Sequence, residues 1–197
     1  MTTAAHAHVG VAIPVRAFAL GKARLAEHLP LDARVDLARR WASQVVAAAT
    51  GHPTVVISSD DDVRAWAAAQ SCAVLDDPGS LDGAAAAGRA WAADHELRRV
   101  VIAHADLPRA RSFAAVTRDG SRPVVAIVPC HRDDGTPVMS VPVDLDFRFA
   151  YGPGSFRRHA TEARRLGAGL RVVRDSDLAF DVDVPEDLAK LDVLVPR

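Results

Sequence analysis

The chain has 197 residues, and its 24 Lys and Arg against 25 Asp and Glu leave a formal net charge of −1. That balance excludes non-specific coating of nucleic acid and electrostatic attachment to a membrane, both of which need a basic excess. Two cysteines, Cys72 and Cys130, make neither a disulfide framework nor a cysteine metal site, and their apolar surroundings suit small reduced core residues. Met1–His8 has no basic start and no apolar run of signal length, and no segment reaches the roughly 18 apolar residues of a membrane span. The expectation is a soluble, cytoplasmic protein with one domain over residues 1–197.

The elements alternate along the chain. Val9 to Val15 is a β-rich apolar run and the first predicted strand, followed by a polar loop. Leu31 to Ala49 carries Val35, Leu37, Ala38, Trp41, Val45 and Val46 at helical spacing, until Gly51, His52 and Pro53 break it. A strand over Thr54 to Ser58, a helix over Asp60 to Ala69 and a short strand over Cys72 to Leu75 come next. An Ala-rich helix over Ser80 to Asp94 and a buried-type strand over Arg99 to Ala103 complete a βαβ series. Beyond it, Pro123 to Pro129 and Val138 to Val143 read as strands around a polar turn, Arg132 to Gly135. The remainder reads as a helix over Ser155 to Leu166, strands over Leu170 to Val173 and Ala179 to Val182, and a closing helix over Pro185 to Leu191. This order predicts an α/β fold with a mixed, mostly parallel sheet and helices on both faces. Ligands of such sheets sit beyond the carboxyl ends of the strands, which points to the loops after Val15, Ser58, Leu75, Ala103 and Val182.

The first of these loops holds three cations, Arg16, Lys22 and Arg24, around Gly21. It fails as a Walker A motif, having Arg16 where glycine is needed and Ala23 where a serine or threonine should hold the metal. Lys22 and Arg24 still suit a triphosphate, as point charge and fork, although an ordinary solvated basic loop explains them equally well. Asp106 follows a strand directly and is placed to hold Mg²⁺, while a lone aspartate there is more often a turn former.

Asp181 and Asp183 are sharper, because on an extended segment they point to one face. Two carboxylates about 5–6 Å apart repel by roughly 3 kcal/mol at an effective dielectric near 20, and a divalent metal is the economical compensation. Pro185, Glu186 and Asp187 already supply the first-turn chemistry of the next helix, so neither aspartate is needed as a cap.

In Tyr151–His159, Ser155 is a good N-cap, yet Arg157, Arg158 and His159 crowd a helix start where the dipole disfavours cations. An anion docked there would make sense of them; an arginine-rich surface helix is the plainer alternative. Asp134-Gly135-Thr136 is a hairpin signal. Asp77 to Gly83 is a turn and helix start capped by Ser80, whose amides can also meet a base or phosphate. The fingerprints of serine hydrolases, zinc proteases, dithiol redox proteins and dinucleotide oxidoreductases are absent.

Taken together, Ile13-Pro14-Val15-Arg16 with Gly21–Leu25, Pro78–Leu81, Asp106-Leu107-Pro108, Asp134-Gly135-Thr136, Tyr151–Phe156 with His159, and Asp181–Leu188 resemble the 2-phospho-L-lactate and phosphoenolpyruvate guanylyltransferases of coenzyme F-420 biosynthesis. The resemblance runs nearly the whole chain and implies a GT-A-type nucleotidyltransferase fold. It implies GTP as donor, phosphoenolpyruvate or 2-phospho-L-lactate as acceptor, and Mg²⁺ held by Asp106, Asp181 and Asp183. Arg16, Lys22 and Arg24 would then meet the donor phosphates and Ser80 the nucleotide, while Thr136, Gly152 and Ser155 bind the acceptor, backed by Arg157 or Arg158. No further catalytic group is expected, and a labile product implies hand-over to the next enzyme of the pathway as a partner. The rival readings are a nucleotidyltransferase with another donor or acceptor and a silent nucleotide-binding homologue.

Overall fold

The β-branched runs pair edge to edge. In the computed structural model, which describes residues 8–21, 25–118, 123–182 and 184–191, seven strands form one sheet. They are β1 (Val9–Pro14), β2 (Thr54–Ile57), β3 (Ala73–Leu75), β4 (Arg99–Ala103), β5 (Val124–Val128), β6 (Val138–Pro142) and β7 (Gly169–Val172), in the order β3-β2-β1-β4-β6-β5-β7. β1 is parallel to β2 and β4, β2 to β3, and β5 to β7. β6 runs against both β4 and β5, so one reversed strand makes the sheet mixed, as the sequence predicts.

Alternation along each strand divides the core. Val11, Ile13, Val56 and Val101 face a cluster that includes Ala42, Val45 and Ala48 of α1 (Leu31–Ala48) and Val63, Trp66 and Ala67 of α2 (Asp61–Ala69). Ala12, Val55, Ile57, Val100 and Ile102 face the other way, onto Ala84, Ala85, Trp91 and Ala92 of α3 (Leu81–Asp94) and Ala160 and Ala163 of α5 (Ser155–Arg165). The chain's reliance on alanine allows close approach: a Cβ on Gly88 of α3 would lie 2.5 Å from the Ala12 Cβ of β1. Among the described residues two shorter helices, α4 (Ala114–Thr117) and α6 (Pro185–Ala189), complete the set.

Two helix starts follow N-cap chemistry: Ser80, as predicted, accepts from Gly83 N–H at 3.0 Å, and Asp60 accepts from Val63 N–H at 3.0 Å. The start of α5 does not. Its N-cap is Gly154, left-handed at φ 74°, and Ser155 is the first helical residue, which frees the Ser155 hydroxyl for other work. Nor is Ala179 to Val182 a strand. His131 N–H donates to Ala179 O at 2.9 Å, but no ladder forms, and Phe180 and Val182 instead enter a separate apolar cluster with Leu25, Leu29, Leu37, Trp41 and Leu188. α4 has no counterpart in the sequence reading, because one helical turn is too short to show a period.

Candidate active site

At the carboxyl end of β1, Arg16 and the Asp77–Leu81 segment ahead of α3 line a cavity of about 310 Å³. Its rim is built by local bonds. Ser58 Oγ donates to Arg16 O at 3.1 Å, fixing the backbone as it leaves the sheet. Gly79, left-handed at φ 91°, donates its N–H to Asp77 Oδ1 at 2.9 Å, and Asp77 N–H in turn donates to Ser59 Oγ at 3.0 Å. The fold thus brings Arg16 and Ser80, about sixty positions apart in the chain, to one opening.

Lys22 and Arg24 lie outside the described residues, but the chain on either side is anchored. Gly21 O accepts from the Arg34 guanidinium of α1 at 3.3 Å, and Leu25 is fully buried in the cluster that holds Phe180 and Val182. The described flanks of the basic loop are therefore held, Gly21 by α1 and Leu25 by the cluster that also contains Phe180 and Val182.

Asp106 lies three residues beyond β4, on a loop drawn against the segment that carries Asp181. The Arg109 guanidinium sits 4.0 Å from the centre of the Phe180 ring, and Arg111 pairs with Asp177 at 3.8 Å. Asp106 and Asp181 each turn a carboxylate oxygen away from solvent. His131, at the head of the β5–β6 turn, stands between Asp181 (Nδ1 to Oδ1, 3.2 Å) and Asp187 (Nε2 to Oδ1, 3.3 Å). Asp187 is fully buried. It accepts from Arg132 through both oxygens, at 2.9 and 2.8 Å, and from Val184 N–H at 3.2 Å. It therefore caps α6 as expected and also ties α6 to the hairpin. Two carboxylates on neighbouring loops are the hard oxygen donors that suit Mg²⁺. Asp183 lies outside the described residues, and among those described no three His, Cys, Asp or Glu side chains converge as a metal-binding group.

A second set of polar groups lies where the β5–β6 turn meets the start of α5. Thr136 and Ser155 are each 1% exposed, and Ser155 Oγ donates to Thr136 Oγ1 at 3.3 Å. His159, fully buried one turn along α5, sets its Nδ1 3.1 Å from the same Thr136 oxygen and accepts from Ala150 N–H through Nε2 at 2.9 Å. Asp134 fastens the helix start from outside: its carboxylate accepts from Gly154 N–H at 2.9 Å and its carbonyl from Phe156 N–H at 3.0 Å. Gly152 is left-handed at φ 96°, as such a turn requires.

Two of the cations read as anion ligands have other tasks. Arg158 donates to the carbonyls of Ala150 at 3.0 Å and Tyr151 at 2.8 Å, and also to that of Pro153, so it clamps the loop. Burial, with Arg158 and His104 nearby, lowers the His159 pKa to about 4, so that side chain is neutral. Arg157 and Arg158 both face solvent, but the Arg158 guanidinium is engaged by the loop carbonyls, which leaves Arg157 as the better placed of the two to meet an anion.

A hydrogen bond links the cavity side to this polar corner. Asp82, in the first turn of α3, accepts from Tyr151 N–H at 2.6 Å and so ties the helix behind Ser80 to the loop carrying Gly152. Burial and then the Asp82 charge push the Tyr151 phenol far above its ordinary range. Its ring packs edge-on against His159, with centroids 4.8 Å apart. Sequence reasoning missed the link from Asp82 to Tyr151 and the inward turn of His159. Only the i, i+4 spacing of Ser155 and His159, which sets both on one helix face, hinted at the latter.

Residues 9–194 match the family described as Guanylyl transferase CofC like. The chain is 32% identical over 190 residues to a phosphoenolpyruvate guanylyltransferase of Sphaerobacter thermophilus, covering 91% of this chain and 90% of that protein. It is 30% identical over 185 residues to a 2-phospho-L-lactate guanylyltransferase of Methanothermobacter thermautotrophicus, covering 91% and 82%. Among solved structures, a nucleotidyl transferase from a Methanothermobacter superposes with a TM-score of 0.65 at 14% identity, over 93% of this chain and 95% of that one. This last likeness speaks for the fold, which is that of the nucleotidyltransferases.

Proposed function

From the premise that the chain belongs to the CofC-like guanylyl transferase family, we propose that it transfers GMP from GTP to a phosphorylated three-carbon acid, phosphoenolpyruvate or 2-phospho-L-lactate. The observation that carries this reading is a cavity and a buried polar corner at one end of the sheet. The cavity between Arg16 and Ser80 suits the nucleotide, and the corner of Thr136, Gly152 and Ser155 suits the acid. Named relatives of both acceptor types support it.

In the proposed reaction an acceptor phosphate oxygen attacks the α-phosphorus of GTP. A new P–O bond forms as the bond from that phosphorus to the bridging oxygen of the β-phosphate breaks, and the electron pair leaves with pyrophosphate. A phosphate monoester is largely ionised near neutral pH, so the step needs no general base from the protein. Arg16, Lys22 and Arg24 would neutralise the donor phosphates, while Thr136, Gly152 and Ser155 would aim the acceptor for in-line attack. Asp106, Asp181 and Asp183 would hold Mg²⁺, which when bound offsets charge on the transferred group. No helix among the described residues is long and apolar enough to cross a membrane, in keeping with a proposed reaction in the cytoplasm. We propose that the labile product passes to the next enzyme of coenzyme F-420 biosynthesis.

The test is pyrophosphate release from purified protein with Mg²⁺, each of the four nucleoside triphosphates, and phosphoenolpyruvate, 2-phospho-L-lactate or 3-phosphoglycerate. Release with GTP and one of the first two acids is expected. Release with another nucleotide would overturn the donor, and no release with any pair would overturn the activity.

A further inference from the structure

The hydroxyl corner holds more hydrogen-bond information than its contact distances alone convey. Ala150 N–H, a backbone group that can only donate, points at His159 Nε2 at 2.9 Å, so that nitrogen is unprotonated. The imidazole is neutral, being fully buried with its pKa lowered to about 4, and therefore carries its one proton on Nδ1. That proton is directed at Thr136 Oγ1, 3.1 Å away, and Thr136 must accept it. Thr136 and Ser155 together own two hydroxyl protons. One is used in the bond between them, whichever donates, and the other has no acceptor among the described residues. Were His159 the opposite tautomer, Nδ1 would accept that second proton and the corner would have nothing left to offer.

We propose that His159 is a positioning residue whose tautomer, set by Ala150 N–H, turns the Thr136–Ser155 pair into a net donor toward an oxyanion of the acceptor acid. The inference rests on the proposed function for its ligand, and on the hydrogen-bond pattern alone for its tautomer. Both hydroxyl-bearing residues are 1% exposed, so bulk water competes poorly for the spare proton, and an anionic oxygen delivered by the acid satisfies it. No proton is transferred to or from His159 in this role.

Two amide substitutions separate its two bonds. His159→Asn puts an N–H donor near the Nδ1 position and leaves Ala150 N–H without its acceptor. His159→Gln puts an amide oxygen near the Nε2 position and gives Thr136 no donor. Titration calorimetry with phosphoenolpyruvate and with 2-phospho-L-lactate is expected to show His159→Gln weakening binding of the preferred acid roughly tenfold. His159→Asn should stay within about threefold of the parent, and GTP affinity should be unchanged in both variants. Long-range ¹H–¹⁵N correlation spectra of the unsubstituted protein should place the His159 proton on Nδ1.

A proton on Nε2 overturns the inference even if no variant folds. Unchanged acid binding by folded His159→Gln also overturns it. If the unsubstituted protein binds neither acid, the functional reading fails and takes the ligand part of the inference with it, whereas the spectrum still decides the tautomer.

Discussion

Burying a neutral imidazole ties the stability of the fold to pH through a single side chain. His159 has a pKa lowered from 6.5 to about 4 by burial first and then by Arg158 and His104. Between those values the unfolded chain binds a proton that the folded chain refuses, so stability rises with pH across the window. The contribution is complete above about pH 6.5, declines as the pH falls, and is gone near pH 4. At about 1.4 kcal/mol for each pKa unit the full span amounts to about 3 kcal/mol, of which about 2 kcal/mol falls between about pH 7.5 and pH 5. His159 is fully buried, so solvent screening does not reduce this figure. The assay is urea unfolding at both pH values for the parent and for His159→Gln, which cannot titrate. The carboxylates and the other histidines contribute to both proteins alike and cancel in the difference of slopes. The parent should lose about 2 kcal/mol more than the variant on acidification. Equal losses would refute the claim that this imidazole is held neutral in the fold.

Three other outcomes are expected. Asp183→Asn should abolish Mg²⁺-dependent pyrophosphate release while leaving the melting temperature close to that of the parent; full turnover would remove Asp183 from the proposed metal set. Asp82→Ala frees Tyr151 N–H and should raise the KM for the acceptor acid several-fold, whereas Asp82→Asn keeps an acceptor oxygen and should restore it, as steady-state kinetics would register. Gly88→Ala drives a methyl to within 2.5 Å of the Ala12 Cβ and should cost about 1–3 kcal/mol in chemical denaturation.

Regular elements were legible in the sequence to within one or two residues because their burial follows a period. The strand over Arg99–Ala103 and the hairpin around Arg132–Gly135 are cases where apolar runs and turn residues agree with the fold. Where tertiary contacts decide, the pattern misled. Ala179–Val182 alternates like a strand, yet Phe180 and Val182 serve a cluster beneath α1 with no neighbouring strand to pair with. Ser155 has the chemistry of an N-cap, but Gly154 takes the left-handed conformation that Ser155 would resist, and the cap moves back one position. Asp187 reads as first-turn helix chemistry, and its second task, holding Arg132 across 55 residues, is written in no local signal. In the sequence His159 reads with two arginines as a cation; burial behind an aromatic wall, with Arg158 and His104 nearby, keeps it neutral.

The reversed strand β6 has a consequence for how the molecule can vary. Because β6 descends from the edge at which β4 and β5 finish, the hairpin that precedes it hangs over the same rim as the nucleotide cavity. Everything that forms the hydroxyl corner, from Cys130 through α5, is then one uninterrupted stretch of chain that follows the residues lining the nucleotide cavity. Such a stretch works as a cassette: its turn can lengthen or its lining change without altering the register of β1, β2 or β3. A lineage could retune which small acid it accepts by redrafting about thirty-five consecutive residues and leave the nucleotide grip as inherited.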